Sequence, residues 1–155
     1  MPEFFRKGGY STHLIGKWHL GFCAKKYLPT SRGFDEHFGF LSGQIDYSKH
    51  TVSRDPKSYS GEYLITDYYA NNTVHLSENY CSNEFTDRAI QVAKNSKNSK
   101  PFFTFLTYAV PHAPTSATNW WKNKVQGRVR RIKITHVNLR HINLCNQEKY
   151  RYKNR

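Results

Sequence analysis

The stretch Gly9-Tyr10-Ser11-Thr12-His13-Leu14-Ile15-Gly16-Lys17-Trp18-His19-Leu20-Gly21 decides how the rest of the chain is read. Tyr10 to Ile15 is short, β-prone and bounded by glycines, so it reads as a buried strand ending at Gly16. Lys17 and His19 follow, two residues apart, where the strand gives way to a loop. In extended backbone, residues i and i+2 project to the same side, which directs an ammonium and an imidazole toward one ligand and turns Trp18 away. A lysine brings three donors and a point charge, and an imidazole exchanges its proton near neutral pH, so the pair suits sulfate or phosphate. A surface lysine and a satisfied histidine beside a core tryptophan fit the same spacing.

Working outward, Pro2 to Lys7 reads as the closing turns of a helix, with basic residues near its C-terminus and Gly8-Gly9 as its stop. Residues 22 to 84 are rich in Gly, Ser, Asn, Asp and Tyr and read as a long ordered excursion over the top of a sheet. Within it, Arg32 and Asp35 pair with each other, contact a substrate or, on the simplest reading, pin the loop. From Asn83 to about Lys97, Phe85, Ala89, Ile90, Val92 and Ala93 set an apolar stripe at helical spacing, with Ser82 or Asn83 as N-cap. Pro101 then leads into Phe102-Phe103-Thr104-Phe105-Leu106-Thr107-Tyr108, a run suited to a buried parallel strand. His112 lies just past its C-terminal end, where open α/β sheets keep their ligand sites, although a histidine that caps the strand fits there too. The class is therefore α/β, with a mostly parallel sheet flanked by helices.

The pattern Gly-Tyr-x-Thr-x-x-x-Gly-Lys-Trp-His-Leu-Gly, complete from Gly9 to Gly21, resembles the second signature of the type I sulfatase family. The block from Leu28 to Phe40, Pro-Thr-Ser-Arg-Gly-Phe-Asp-Glu-His-Phe-Gly-Phe after its leucine, is similar to one in that family's arylsulfatase B group. The likeness resumes at Asn83 to Ile90, at Pro101-Phe102-Phe103 and at His112-Ala113-Pro114, so it covers about residues 2 to 114. It implies part of an alkaline-phosphatase-like sulfatase domain that hydrolyses sulfate esters in its full-length form, N-acetylgalactosamine 4-sulfate among them. By the same resemblance Lys17 holds the sulfate and steadies the nucleophile. His19 takes the proton from the nucleophile's hydroxyl so that sulfate leaves, a general-base role. His112 matches a sulfate-binding histidine, and Gln44-Ile45-Asp46-Tyr47 falls where the family shapes its substrate rim. The implied partner is a sulfated glycan or an aryl sulfate ester, and the implied location of a full-length protein is lysosomal or secreted.

The departures carry equal weight. The family's nucleophile is a formylglycine made from the cysteine of Cys-x-Pro-x-Arg, and no such sequence occurs in this chain. Cys23 is followed by Ala24-Lys25-Lys26, Cys81 by Ser82-Asn83-Glu84 and Cys145 by Asn146-Gln147-Glu148. The complete family enzyme also uses Ca2+, held by one Asp pair and one Asp-Asn pair that have no counterparts here. The chain is therefore expected to be an incomplete piece of a larger catalytic domain and to be inactive alone, because covalent and electrostatic catalysis both lack their main groups.

The 155 residues carry a formal charge of +13. Residues 1 to 114 hold 13 Lys and Arg against 10 Asp and Glu, net +3, while residues 115 to 155 hold 11 against 1, net +10. The chain thus divides into a partial sulfatase domain, 1–114, and a basic tail, 115–155, expected to be poorly ordered and without sulfatase resemblance. Arg128 to Lys133 and Tyr150 to Arg155 would suit nucleic acid or an acidic glycan, but no nucleic-acid-binding signature accompanies them. A non-catalytic glycan-binding or nucleic-acid-binding protein is the alternative reading. His13, His37, His50 and His75 have no metal-ligand spacing and read as core or surface histidines. Asn71-Asn72-Thr73 is a glycosylation sequon at Asn71. No apolar run is long enough to span a membrane, and no signal peptide is visible.

Overall fold

The computed structural model describes residues 1–53, 64–96, 100–113, 117–119 and 122–123. The basic stretches from Arg128 onward, the apolar residues among them and Cys145 lie outside the described residues. The chain divides into two compact units, Met1–Ala109 and Val110–Arg155.

In the first unit, α1 (Pro2–Lys7) leads through a glycine pair into β1 (Ser11–Lys17). Further along lie β2 (Glu36–Phe40), β3 (Thr51–Ser53), β4 (Leu64–Thr66), β5 (Tyr69–Ala70), β6 (Thr73–Val74), α2 (Cys81–Asn95) and β7 (Phe102–Thr107). The main sheet has the order β6-β5-β2-β1-β7, with β1 parallel to both β2 and β7, and β5 and β6 antiparallel at one side. β3 and β4 pair separately. The expected α/β architecture, with a mostly parallel sheet flanked by helices, is the one observed.

Alternation along the strands assigns each helix its face. Thr12 and Leu14 share a side with their register partners Phe103 and Phe105, and α1 covers that side by stacking Phe5 on Phe103 at 4.1 Å between ring centres. This packing is what sustains a six-residue helix that propensity alone would leave marginal. On the other side α2 inserts Phe85, whose ring centre lies 6.3 Å from Phe38, 6.5 Å from Phe40 and 6.1 Å from Tyr68. Truncating a fully buried phenylalanine of this kind to alanine costs about 3–5 kcal/mol.

Four sequence expectations need correction. Gly16 lies inside β1 rather than at its end, because β2 and β7 continue the pairing to Lys17 on one side and Gly16 on the other. The stretch from 22 to 84 is not one excursion: it contains β2, a central strand of the sheet, the antiparallel pair β3 and β4, and the β5–β6 hairpin. Its polar composition hid them, since the burial of β2 rests on only five residues, Glu36 to Phe40. Helix α2 starts at Cys81, with Tyr80 as an N-cap that makes no side-chain cap bond. There the amide of Cys81 donates to Tyr47 O at 2.9 Å and its side chain is buried, so tertiary contact displaces the start expected from Ser82 or Asn83. Finally, β7 is parallel as expected but not buried: Phe102, Phe105 and Leu106 are 40%, 44% and 36% exposed. It is the last strand of the described sheet, so one of its edges lacks a covering neighbour among the described residues.

Candidate functional site

The candidate site is built where β1 ends. Gly16 adopts φ +111° and Gly39, its register partner on β2, φ +149°. A Cβ on Gly16 would run into the carbonyl of Thr107, and one on Gly39 into the carbonyl of Gly16. Three strands thus approach at this level more closely than any side chain permits, which is what glycine supplies. Thr107 adds a bond across the sheet, its hydroxyl donating to Lys17 O at 2.8 Å. The backbone that carries Lys17 is therefore held from two strands at once.

Beyond Lys17 the ladder changes character. The consecutive amides of Trp18 and His19 donate to Phe40 O at 2.9 Å and Leu41 O at 3.1 Å, whereas a regular strand sends alternate amides to one neighbour. His19 then takes φ +51°, a left-handed conformation uncommon outside glycine. The i, i+2 argument for Lys17 and His19 therefore fails, because the segment joining them is not extended through His19. The direction of the imidazole is therefore set by this left-handed residue and not by strand alternation. Trp18 holds the following loop: its indole N–H is shared between Gly21 O at 2.9 Å and Tyr27 O at 3.0 Å, and its ring meets Phe34 edge-on at 6.3 Å.

Lys17 is half-buried and His19 is exposed. The imidazole lies over Gly43, so close that a Cβ there would stand 2.8 Å from Nε2. The loop bearing Gly43 is tied down by Asp67, which is 5% exposed and accepts from Leu41 N at 3.0 Å and Ser42 N at 2.8 Å. Sequence reasoning missed Gly43, Asp67 and Thr107. Gly43 and Asp67 sit in the polar region read as loop, and only the pairing of β1 with β2 and β7 brings these three residues to the turn.

His112 belongs to the second unit. It is exposed, five residues past the end of β7, and its Nδ1 donates to Ala113 O at 2.7 Å. Asn71 sits at the tip of the β5–β6 hairpin with φ +57°. Its amide donates to His37 O at 2.6 Å and its Oδ1 accepts from His37 N at 2.9 Å, so the tip is sewn to the β2 edge.

The remaining residues singled out from sequence have packing roles. Asp35 accepts from Thr12 N at 2.9 Å and stands 4.0 Å from Arg6, so it pins its loop to β1. Ile45 and Tyr47 are buried, and Asp46 accepts from the amides of Ser48 and Lys49. His13 meets Glu36 at 3.1 Å, His50 stacks on Tyr68 at 4.1 Å, and His75 lies 5.2 Å from Phe38. His37 is 2% exposed, and burial lowers its pKa to about 4. Burial raises the Cys81 thiol to about 12, which disqualifies it as a nucleophile, while Cys23 is exposed. Among the described residues no group of three or more His, Cys, Asp or Glu side chains could hold a metal ion, and no helix is long and apolar enough to cross a membrane.

Comparison with known proteins gives a consistent answer. The family model described as Sulfatase matches residues 1–143, past the point at which the motif resemblance stops. Mouse arylsulfatase J is 35% identical over 122 residues, 76% of this chain and 19% of its own length. An uncharacterized sulfatase of Schizosaccharomyces pombe is 32% identical over 136 residues, 83% of this chain and 24% of its own. The crystal structure of Ps i-CgsB in complex with k-i-k-neocarrahexaose superposes with a TM-score of 0.70 at 24% identity, over 88% of this chain and 32% of that one. The chain thus spans about a fifth to a quarter of the length of these curated relatives.

Proposed function

The chain belongs to the sulfatase family, and from that premise we propose that its Lys17–His19 turn is the sulfate-binding part of a sulfate-ester hydrolase site. The observation that carries this reading is the turn itself, which brings a half-buried Lys17 and an exposed His19 to the C-terminal end of the parallel strands, where α/β sheets place ligands. Lys17 neutralises charge on a sulfate oxygen as a point donor. His19 exchanges a proton with the nucleophile or the leaving group. His112 keeps the sulfate-binding role that the resemblance gives it.

Within the longer family enzyme the substrate is a sulfate ester on a sugar, and N-acetylgalactosamine 4-sulfate is the first to test because the motifs run closest to the arylsulfatase B group. This chain alone binds sulfate without turning over a sulfate ester, since it carries no Cys-x-Pro-x-Arg from which the nucleophile is made. The described residues do not fit the family's calcium, and no step here depends on it. A full-length product would follow the secretory route to the lysosome or the exterior. Asn71 suits glycan attachment there, because it is exposed and its bond to His37 uses Oδ1, leaving Nδ2, the atom that takes the sugar.

The test is titration of the chain with inorganic sulfate, followed by NMR of the His19 ring. Binding should weaken as chloride rises and fall at least ~10-fold in Lys17→Ala, with smaller losses in His19→Ala and His112→Ala. Equal affinity in Lys17→Ala and the unaltered chain would remove the reading. So would steady hydrolysis of an aryl sulfate by the chain alone remove the claim that it is inactive.

A further inference from the structure

We propose that Asp67 is the positioning residue for His19, acting through the Leu41–Gly43 loop; the functional weight of this rests on the reading of the Lys17–His19 turn given above. The side chain is nearly fully buried, and its two oxygens take different amides, Oδ1 from Leu41 and Oδ2 from Ser42. A carboxylate accepting two backbone amides away from water makes a charge-assisted clamp, stronger than neutral hydrogen bonds. The clamped loop meets His19 twice. Leu41 O accepts the His19 amide at 3.1 Å, and Gly43 forms the floor on which the imidazole lies.

Asp67 is itself fixed. Its amide donates to His50 O at 2.9 Å, and the next residue, Tyr68, is fully buried and donates its hydroxyl to Glu84 Oε2 on α2 at 2.9 Å. The chain of contact therefore runs from the α2 core through Asp67 to the loop and then to the ring of His19. His19 needs such support, because its left-handed backbone is an unfavourable conformation that persists only where the surroundings impose it. Asparagine at 67 would keep one acceptor and turn an N–H2 toward the second amide, so the clamp would lose a bond and gain a donor–donor clash.

The experiment uses the whole chain. In Asp67→Asn, the amide of His19 should exchange at least ~10-fold faster relative to that of Leu14, and sulfate affinity should fall at least ~3-fold. A control, Val92→Ala, removes buried volume from α2 and should lower the melting temperature without either effect. In the unaltered chain, where folding of the variant is not in question, the amides of His19, Leu41 and Ser42 should open as one unit with a common dependence on denaturant. Independent opening of His19, or a folded Asp67→Asn chain with unchanged His19 exchange, overturns the proposal. Absence of sulfate binding in the unaltered chain would sink the functional reading alone, because the exchange measurements still decide whether Asp67 positions the turn.

Discussion

The two strands that flank β1 are bound to it in the same parallel sense, yet they live in different surroundings. On the β2 side the neighbour is sealed: Phe40 is fully buried, His37 nearly so, and the hairpin tip at Asn71 is bonded to the strand edge. On the β7 side, Phe105 and Leu106 point to opposite faces and both stay substantially exposed. A parallel strand ordinarily has both faces covered, so β7 is the departure. The difference teaches that the Lys17–His19 turn draws its geometry from the β2 side and only its anchoring, through Thr107, from β7.

The sharpest way to break that comparison is at the glycines. Gly16→Ala would place a Cβ against the Thr107 carbonyl and force a residue with a side chain to hold φ +111°. Backbone strain and overpacking each cost about 1–3 kcal/mol, so the loss should reach roughly 3 kcal/mol or more and show as a large fall in the urea midpoint. Phe105→Ala on the exposed strand should cost about 1 kcal/mol, well below the value for a fully buried phenylalanine. A loss of about 3–5 kcal/mol in Phe105→Ala would mean that β7 is as deeply buried in solution as the phenylalanines packed on the β2 side.

A second test sharpens the contrast through pH. His37 is held neutral by burial, its pKa taken from 6.5 to about 4, while the nearby Asp67 carboxylate and the backbone of Asn71 and Gly16 pull more weakly the other way. The unfolded chain therefore binds a proton below pH 6.5 that the folded chain refuses until about 4. Stability is present in full above 6.5 and is lost as pH falls through that window, by an amount on the order of 3 kcal/mol if the whole shift is realised. His50, whose pKa burial also lowers, adds in the same direction. Urea midpoints at intervals from pH 7 to 4 would trace the slope, and His37→Phe should flatten most of it. An unchanged slope in that variant would assign the acid sensitivity to other groups.

Sequence carried the parallel strands β1 and β7, the helix between them and the family, because each rests on a local signal: a glycine-bounded β-prone run, an apolar stripe, an apolar run after proline. It missed β2, although Phe38 and Phe40 alternate there with His37 and Gly39, because the surrounding composition reads as loop. The site divides in the same way. Lys17 and His19 were legible from their motif, but the backbone between them turns on a left-handed His19 and on a loop held by Asp67, 48 positions further along than His19. No local pattern encodes a carboxylate that reaches back to clamp a loop.

The smallest expected effect lies on the α2 face. Arg88 Nη2 lies 3.1 Å from Glu36 Oε2, and the same oxygen meets His13 Nδ1 at 3.1 Å, which joins α2 to both β1 and β2. Both charged partners are about two-fifths exposed, so water and salt screen the pair. Arg88→Ala should therefore cost only about 0.2–1 kcal/mol, and less as chloride is added. The β2 side would then owe its stability to Phe85 and the buried aromatic rings rather than to charge. A loss comparable to that of Phe85→Ala, persisting in high salt, would show instead that Glu36 links helix and sheet as a buried ion pair, and the contrast between the two sides of β1 would have to be redrawn in electrostatic terms.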